Sequence, residues 1–331
     1  MPPDVTVLIP SYNSKDLLVP CLEHLSRQTF PADRFETIVT LDGSTDGSRQ
    51  ALDRIRVPYR LRVVEQARKG RAAALNNGAR EAEGRLLIVI DSDIVACSGF
   101  IQSHVTAHET ADVAIGPIPL SPLSPENFMT DGVRDWADHH ARRMRDARGA
   151  LSSTDIYGAN LSLPLELFKQ LGGYREDLLR TEDYHFGEKI LQAGLKVCFC
   201  PEAIGEQIYD KTFPAWLRDF YLGGKSQWDL VREFPHLKSK LKIGRYYPLT
   251  AAKRLLRPLV AENRPAGKLF MALGQTVLET ARQGGLRWRW LSKVQGLMGD
   301  LSYWKGVYDA VGDPARFREF LKTGSVECAG D

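Results

Sequence analysis

Short apolar runs alternate with helical spacings over the first 120 residues. Residues 5–10 read as an apolar core strand. Leu17, Leu18, Cys21, Leu22 and Leu25 then recur at the spacing of one helix face, predicting a helix over 16–27. Residues 35–41 predict a second strand and 44–54 a short helix. Residues 60–65 predict a third strand, and 70–82 an alanine-rich helix. Residues 86–90 form a continuous apolar run bounded by Gly84 and Asp91, as expected of a parallel strand buried on both faces. Such alternation predicts an α/β fold with an open, mostly parallel sheet flanked by helices. Ligands in that architecture bind at the carboxyl ends of the strands. The polar residues just beyond the strands therefore matter most: Ser11, Tyr12, Asn13, Asp42, Asp91 and Asp93.

Four prolines (Pro117, Pro119, Pro122 and Pro125) mark a connector. A helix is predicted over 126–148, a strand over 156–163, and a short helix opened by Pro164 and stopped by Gly172-Gly173. Thr181 can cap a helix over 182–193, and 196–200 reads as a last strand. From about residue 213 the texture becomes helical and rich in Arg, Lys, Trp and Leu. The expected division is a nucleotide-binding domain over 1–225 and a basic helical region over 226–331.

Composition narrows the field. With 43% hydrophobic and 26% charged residues, the chain is of globular type, neither disordered nor collagen-like. Its five cysteines show no metal or redox spacing, which suggests reduced thiols and a cytoplasmic setting. No secretory signal is read at the start, and no run approaches the roughly 18 apolar residues of a membrane span. A processive synthase with its own pore is therefore not expected. The net charge of +3 conceals an asymmetry. Residues 211–331 hold 21 basic and 11 acidic side chains, +10, whereas residues 1–210 hold 23 and 30, −7. A basic end can meet anionic lipid or a phosphorylated acceptor, or simply be solvated helix.

Three constellations carry chemistry. Asp91-Ser92-Asp93 places two carboxylates beyond a strand, where they can share a hard divalent cation with a diphosphate. Asp42 opens Asp42-Gly43-Ser44-Thr45-Asp46-Gly47-Ser48. Its carboxylate can accept the ring N–H of a base, while Ser44 or Asp46 can cap the next helix. The basic stretch Lys69-Gly70-Arg71 opens the alanine-rich helix, an unfavourable place for cations unless they face phosphates.

Taken in order, Pro10-Ser11-Tyr12-Asn13, the Asp42–Ser48 stretch, Lys69-Gly70 with Ala74-Leu75-Asn76-Asn77-Gly78, and Asp91-Ser92-Asp93 resemble the family 2 glycosyltransferases of GT-A fold. Gly158-Ala159-Asn160, Gly172-Gly173-Tyr174 and Thr181-Glu182-Asp183 agree, so the resemblance covers about residues 4–225. It implies a nucleotide-sugar donor, a divalent metal (Mn²⁺ or Mg²⁺) and inverting transfer. Carried over by position, it implies that Pro10, Tyr12 and Asp42 form the nucleoside pocket, and that Lys69 and Asn76 add nucleotide contacts. Asp91 is then the ribose- and metal-side carboxylate, and Asp93 the direct ligand. Asp183 is the catalytic base beside Glu182, and Gly158 and Asn160 shape the sugar and acceptor pocket.

The sequence departs from the family pattern at three places. Gln207 stands near a position where relatives carry a metal-binding His, with Glu206 beside it as a substitute ligand. Ile94 follows the Asp-Ser-Asp where an acid is common, and Pro164 replaces a common Arg. Trp216, in an aromatic segment, suits either an acceptor-side wall or helix packing. Bases around Leu255 and Leu256, and around Trp288, Trp290 and Trp304, suit either a membrane-surface helix or a packed helical cap. The expected function is a non-processive transfer from a nucleotide-sugar, with UDP preferred over GDP. The acceptor hydroxyl belongs to a lipid-linked glycan, an envelope precursor or a small molecule. A sugar-1-phosphate nucleotidyltransferase, marked by pyrophosphate release, and a non-catalytic nucleotide-sugar-binding module are the alternatives. Nucleic acid is not an expected partner, since the basic excess carries no reader motif.

Overall fold

The computed structural model describes residues 2–146, 151–246 and 249–323. The chain divides into two compact units. The first comprises Met1–Ser124, Val133–Leu178 and Glu182–Tyr209. The second comprises Pro125–Gly132, Leu179–Thr181 and Asp210–Asp331.

In the first unit, β1 (Val5–Ser11) leads to α1 (Lys15–Leu25), β2 (Phe35–Asp42) to α2 (Ser48–Arg54), and β3 (Arg60–Gln66) to α3 (Arg71–Glu81). Then follow β4 (Leu86–Ile90), β5 (Ile94–Ala96), α4 (Phe100–Ala107) and β6 (Val113–Ile115). Helix α5 (Phe128–Asp146) belongs to this unit from Val133 onward. The unit ends with β7 (Asn160–Pro164), α6 (Leu165–Gln170), α7 (Glu182–Gln192), β8 (Val197–Phe199) and β9 (Gly205–Gln207).

Seven strands form one sheet in the order β3-β2-β1-β4-β7-β6-β8. All neighbours are parallel except that β7 runs against β4 and β6. Every residue of β1 and β2 is buried, as in a sheet covered on both faces, with the Thr6 hydroxyl donating to Glu36 at 2.8 Å. Helix α3 approaches closely because five of its six buried residues are small, Ala72, Ala73, Ala74, Gly78 and Ala79, with Leu75 the sixth. A Cβ at Gly78 would overlap the Leu8 and Thr40 side chains. Strands β5 and β9 pair separately, antiparallel, with Ile94 opposite Gln207.

Local chemistry moved several element ends. The helix expected from residue 44 starts at Ser48, because the Asp46 carboxylate accepts from the Ser48 N–H (3.1 Å) and hydroxyl (2.6 Å). The helix expected from 126 starts at Phe128, where Asn127 Oδ1 accepts from the amides of Met129 and Thr130. Its expected end falls on residues 147–150, outside the described residues. The strand expected from 156 begins at Asn160, opposite Ile90. Thr181 does not cap through its hydroxyl. Its Oγ1 is buried without a hydrogen bond, and its φ is +67°, a strained value for a β-branched residue.

The second unit holds α8 (Phe213–Glu233), α9 (Ala251–Ala261), α10 (Pro265–Gln283), α11 (Arg289–Val311) and α12 (Pro314–Thr323). The boundary expected near residue 225 falls within α8. Helix α11 lies close on α8: a Cβ at Gly224 would strike the Tyr303 carbonyl, and one at Gly306 the Tyr221 carbonyl. Asp300 of α11 accepts from Arg257 at 2.7 and 2.8 Å and from Lys253 at 3.1 Å. Trp304, for which the sequence left a membrane surface or a packed helical cap open, is buried, edge-on to Tyr246 at 4.7 Å. It lies on the α11 face turned inward, where its large ring fills the helical core.

In the first unit, His104 is fully buried on α4. Its Nε2–H donates to Asn160 Oδ1 and its Nδ1 accepts from the Ser162 hydroxyl, both at 2.8 Å. Burial pushes its pKa down to about 4, against the upward pull of the Asn160 bond. Burial and the neighbouring Arg143 do the same to His140, also to about 4. Both rings are therefore neutral in the fold, whereas in the unfolded chain they take up protons near pH 6.5. The unfolded state binds more protons over that interval, so stability falls as pH drops. Denaturant melts should lose about 2 kcal/mol per histidine between pH 6.5 and 5. A flat profile across that window would contradict the neutral assignment.

Candidate active site at the carboxyl edge of the sheet

The loops after β1 and β2 are tied to each other. Asn13 donates its N–H to Ser44 Oγ (3.0 Å), and Asn13 Oδ1 accepts from the Thr45 N–H (2.8 Å). The Lys15 N–H donates to Asp46 Oδ2 at 2.8 Å. The Asp-Ser-Asp turn joins them through Ser92, whose hydroxyl donates to Ser14 Oγ at 3.0 Å.

Asp42 is buried at the end of β2. Oδ1 accepts from the Lys69 N–H (2.7 Å) and from Gln66 Nε2 (2.9 Å), and Oδ2 accepts from the Gly70 N–H (2.8 Å). Its carboxylate thus fixes the β3–α3 turn. Lys69 contributes its backbone there and leaves its side chain exposed. Pro10 is buried within β1, and Tyr12 beyond it is 44% exposed. The Arg68 guanidinium lies 3.0 Å from the Tyr12 ring centroid and 3.9 Å from Asp42 Oδ2. Arg68 therefore completes the Tyr12–Asp42 corner, a role its place in a basic run did not reveal.

The centre is organised by Arg71, the first residue of α3. Its Nε donates to Asp91 Oδ1 at 2.8 Å and its Nη1 to Glu182 Oε1 at 3.1 Å. One planar fork so joins the strand-end aspartate to the pair that opens α7. Burial works against its charge, yet Asp91 and Glu182, with Tyr174 and Asp183 behind them, hold its pKa above the ordinary value. Burial likewise raises the Tyr174 phenol, whose hydroxyl has no hydrogen-bond partner. Gly158 is small for this guanidinium. A Cβ there would lie 2.8 Å from Arg71 Nη2 and 3.0 Å from the Tyr174 hydroxyl. Asp183 follows Glu182 and accepts from the Tyr184 N–H at 2.9 Å.

Asp93 accepts from Gln207 Nε2 at 2.9 Å, a link made possible by the β5–β9 pairing. Glu206, one residue earlier, points to the other face of that ribbon and accepts from the Ser121 hydroxyl at 3.2 Å. Among the described residues no three His, Cys, Asp or Glu side chains converge into a metal cluster, so Glu206 does not join Asp91 and Asp93. Two strand-end carboxylates with an amide beside them still fit a Mg²⁺ or Mn²⁺ ion. Such ions commonly take one or two carboxylates and complete their shell with substrate phosphates and water.

Three other residues named from the sequence are engaged in scaffolding. Both edges of the Asn76 amide bind the Tyr174 backbone (2.8 and 2.9 Å), and its Nδ2 also donates to Glu176 (2.9 Å). Asn160 is buried and donates to the carbonyls of Pro117 (3.1 Å) and Ala203 (2.8 Å). Trp216 lies in the second unit, stacked on Phe213 at 5.4 Å and under Gly299 of α11. The sequence marked Arg71 only as one of two cations at the start of α3, expected to face phosphates, and did not single out Arg68, although both lie in the basic stretch beside the motifs.

Removing the Arg71 fork leaves buried Glu182 without its cation. Arg71→Ala should destabilise the fold by about 2–3 kcal/mol, less than a fully buried pair because Arg71 is partly exposed. Arg71→Lys keeps the charge but not the two-point geometry, and should restore less than half. Denaturant midpoints of the three proteins test this, and equal midpoints would remove Arg71 from the centre.

Comparison with known proteins bears on these residues. Residues 6–172 match the model of Glycosyl transferase family 2. The chain is 29% identical over 271 residues to a validoxylamine A glucosyltransferase of Streptomyces hygroscopicus subsp. jinggangensis, covering 72% of this chain. It spans 63% of that relative's length. The structure resembles the Pyrobaculum calidifontis mannosyltransferase PcManGT, solved with GDP-Man and Mn²⁺. The TM-score is 0.61 at 21% identity, over 93% of this chain and 88% of that one. It also resembles residues 1–349 of Staphylococcus aureus TarS bound to UDP, with a TM-score of 0.52 at 14% identity over 97% and 92% of the two chains. The α/β sheet with C-terminal helices is thus the GT-A fold, and the chain belongs to the family 2 glycosyltransferases.

Proposed function

We propose that this chain is a metal-dependent, inverting, non-processive glycosyltransferase that moves a sugar from a UDP-sugar to an acceptor hydroxyl. One observation carries the reading: Arg71 binds Asp91 and Glu182 at once, holding the cation-side carboxylate beside the Glu182-Asp183 pair. The GDP-Man and UDP found in the two similar structures support a nucleotide-bound donor.

Tyr12, Asp42 and Arg68 border the base and nucleoside. Asp91 and Asp93 would hold the divalent ion, which neutralises charge on the donor's diphosphate. Asp183 takes the proton of the acceptor hydroxyl as its oxygen attacks the anomeric carbon. The carbon–oxygen bond to the diphosphate breaks in the same displacement, the nucleoside diphosphate leaves, and the anomeric configuration inverts. Arg71 lies where charge grows on the leaving group, while Gly158 keeps space for it. The acceptor is a lipid-linked glycan, an envelope precursor or a small molecule. Relatives include a poly(ribitol-phosphate) β-glucosyltransferase from Bacillus spizizenii, 35% identical over 92 residues, or 27% of this chain and 14% of that relative.

The second unit suits peripheral contact with anionic lipid. No helix among the described residues is long and apolar enough to cross a membrane. Yet α10 turns Leu269, Leu273 and Val277 outward at four-residue steps, each more than half exposed. Leu255, Trp288 and Trp290 are exposed too, among the exposed cations Arg254, Lys268, Arg289 and Lys293. Apolar rings and leucines among bases match the headgroup layer of an anionic surface. The free thiols of Cys21, Cys97, Cys198 and Cys200 support a cytoplasmic setting.

Binding and chemistry separate by mutation. Asp93→Asn should abolish the Mn²⁺-dependent part of UDP binding in calorimetric titration. Asp183→Asn should leave UDP binding intact and slow transfer about 10²–10⁴-fold. An Asp183→Asn protein with full transfer activity would move the base elsewhere.

Vesicle co-sedimentation addresses the lipid contact. Binding should require anionic lipid and weaken with salt, at about 1 kcal/mol per surface cation. Arg289→Glu with Leu273→Glu should reduce it. Arg287 is a poor choice for that test, since it is paired with Asp131 at 2.7 Å and Glu126 at 3.0 Å. Full-length protein that ignores anionic vesicles at low salt would assign this surface to another role.

A further inference from the structure

Large aromatic rings are normally covered in a folded unit, because leaving them in water forfeits their burial. Among the described residues of the first unit, two are substantially exposed: Tyr12, beside the base corner, and Trp136, 49% exposed on α5. Trp136 is also supported from below. Its ring stacks on His140 one turn later, at 5.1 Å between centroids and only 11° between planes. His140 in turn meets the Tyr157 ring at 5.3 Å.

This stack is anchored. The Tyr157 hydroxyl donates to the Gly116 carbonyl at 2.7 Å. Arg143, the next turn of α5, pairs with buried Asp155. Asp155 closes the short turn Ser153–Asp155, against which α7 packs through Gly187, where a Cβ would lie 2.8 Å from the Ser153 carbonyl. The residue after Tyr157 is Gly158, which abuts Arg71. An exposed indole is thus connected by two ring contacts and one peptide step to the guanidinium that holds Glu182.

We propose that Trp136 is the platform of an acceptor subsite for a pyranose ring. This rests on the glycosyltransferase reading of the Asp91–Arg71–Glu182 centre. The C–H groups on one face of a pyranose carry partial positive charge and fit the electron-rich face of an indole. The sugar's hydroxyls then stay at the rim, where His139, three residues on along the same helix face, is exposed. The His140 ring beneath is neutral at physiological pH, so it supports the indole as a flat apolar surface. Its Nδ1 faces Arg143 Nη2 at 3.5 Å, and its buried Nε2 has no hydrogen-bond partner. A shelf of this kind suits a transferase whose acceptor is itself a glycan, because it would hold the neighbouring sugar while a hydroxyl is offered to Asp183.

The test uses the full chain saturated with UDP and Mn²⁺, so that the donor site is measured first. Methyl α- and β-glucopyranoside, maltose and N-acetylglucosamine are then titrated, followed by saturation-transfer NMR and tryptophan fluorescence. At least one should bind the wild type with transfer to its ring protons. Trp136→Ala should weaken that binding about tenfold, and Trp136→Phe, which keeps a smaller aromatic face, should weaken it less. UDP affinity and melting temperature should be unchanged in both variants. Equal saccharide affinity in wild type and Trp136→Ala overturns the platform, as does the absence of binding by all four sugars to the UDP-loaded wild type. Failure of UDP itself to bind overturns the donor reading and, with it, the subsite built on that reading.

Discussion

The arrangement depends on one guanidinium placed between two carboxylates from distant parts of the chain. Asp91 ends a central strand and Glu182 opens a helix some ninety positions later. Each carboxylate alone would be costly to hold near the other in a partly desolvated cleft. The Arg71 fork makes their proximity favourable, and its planar shape fixes the direction from which each approaches. The rest of the centre makes room for it. Gly158 lacks the side chain that would collide with it, and the Asn76 amide holds the Tyr174 segment that passes behind it.

The same economy governs the corner beyond β2. Three bonds from the Asp42 carboxylate make it the clamp of the β3–α3 turn. Asp42 thereby positions Arg68 against Tyr12. Beyond β4, the Gln207 amide orients Asp93. A neutral amide cannot add charge to a metal shell. It does hold the aspartate in place, which suits a site completed by substrate phosphates.

In the second unit the usual distribution of side chains is partly inverted. Helix α10 packs inward through Gly267 and Gly274, where added side chains would meet the Leu259 backbone and Met298. Leu269 and Leu273 face outward, whereas Leu278 is buried. The cations of this unit divide accordingly. Arg257 and Lys253 neutralise Asp300 inside, and other bases remain on the surface.

How much was legible in the sequence follows from the range of each interaction. The unbroken run of β4, the largely apolar runs of β1 and β2 and the alanine face of α3 are local patterns, so the local sequence located them and with them the strand-end polar residues. The three-residue strands β5, β6 and β9 are too short to carry a period, and only their partners define them. The ordered motifs, Asp91-Ser92-Asp93 and Thr181-Glu182-Asp183 among them, announced the family. They could not show that Arg71 joins two of them, that Glu206 bonds Ser121 while Gln207 bonds Asp93, or that Trp304 is interior while Trp136 is not. Those outcomes depend on which face of an element meets another element distant in the chain. Such pairings are decided when the sheet closes and the helices pack, since only then do desolvation and steric fit select a partner for each charge and ring.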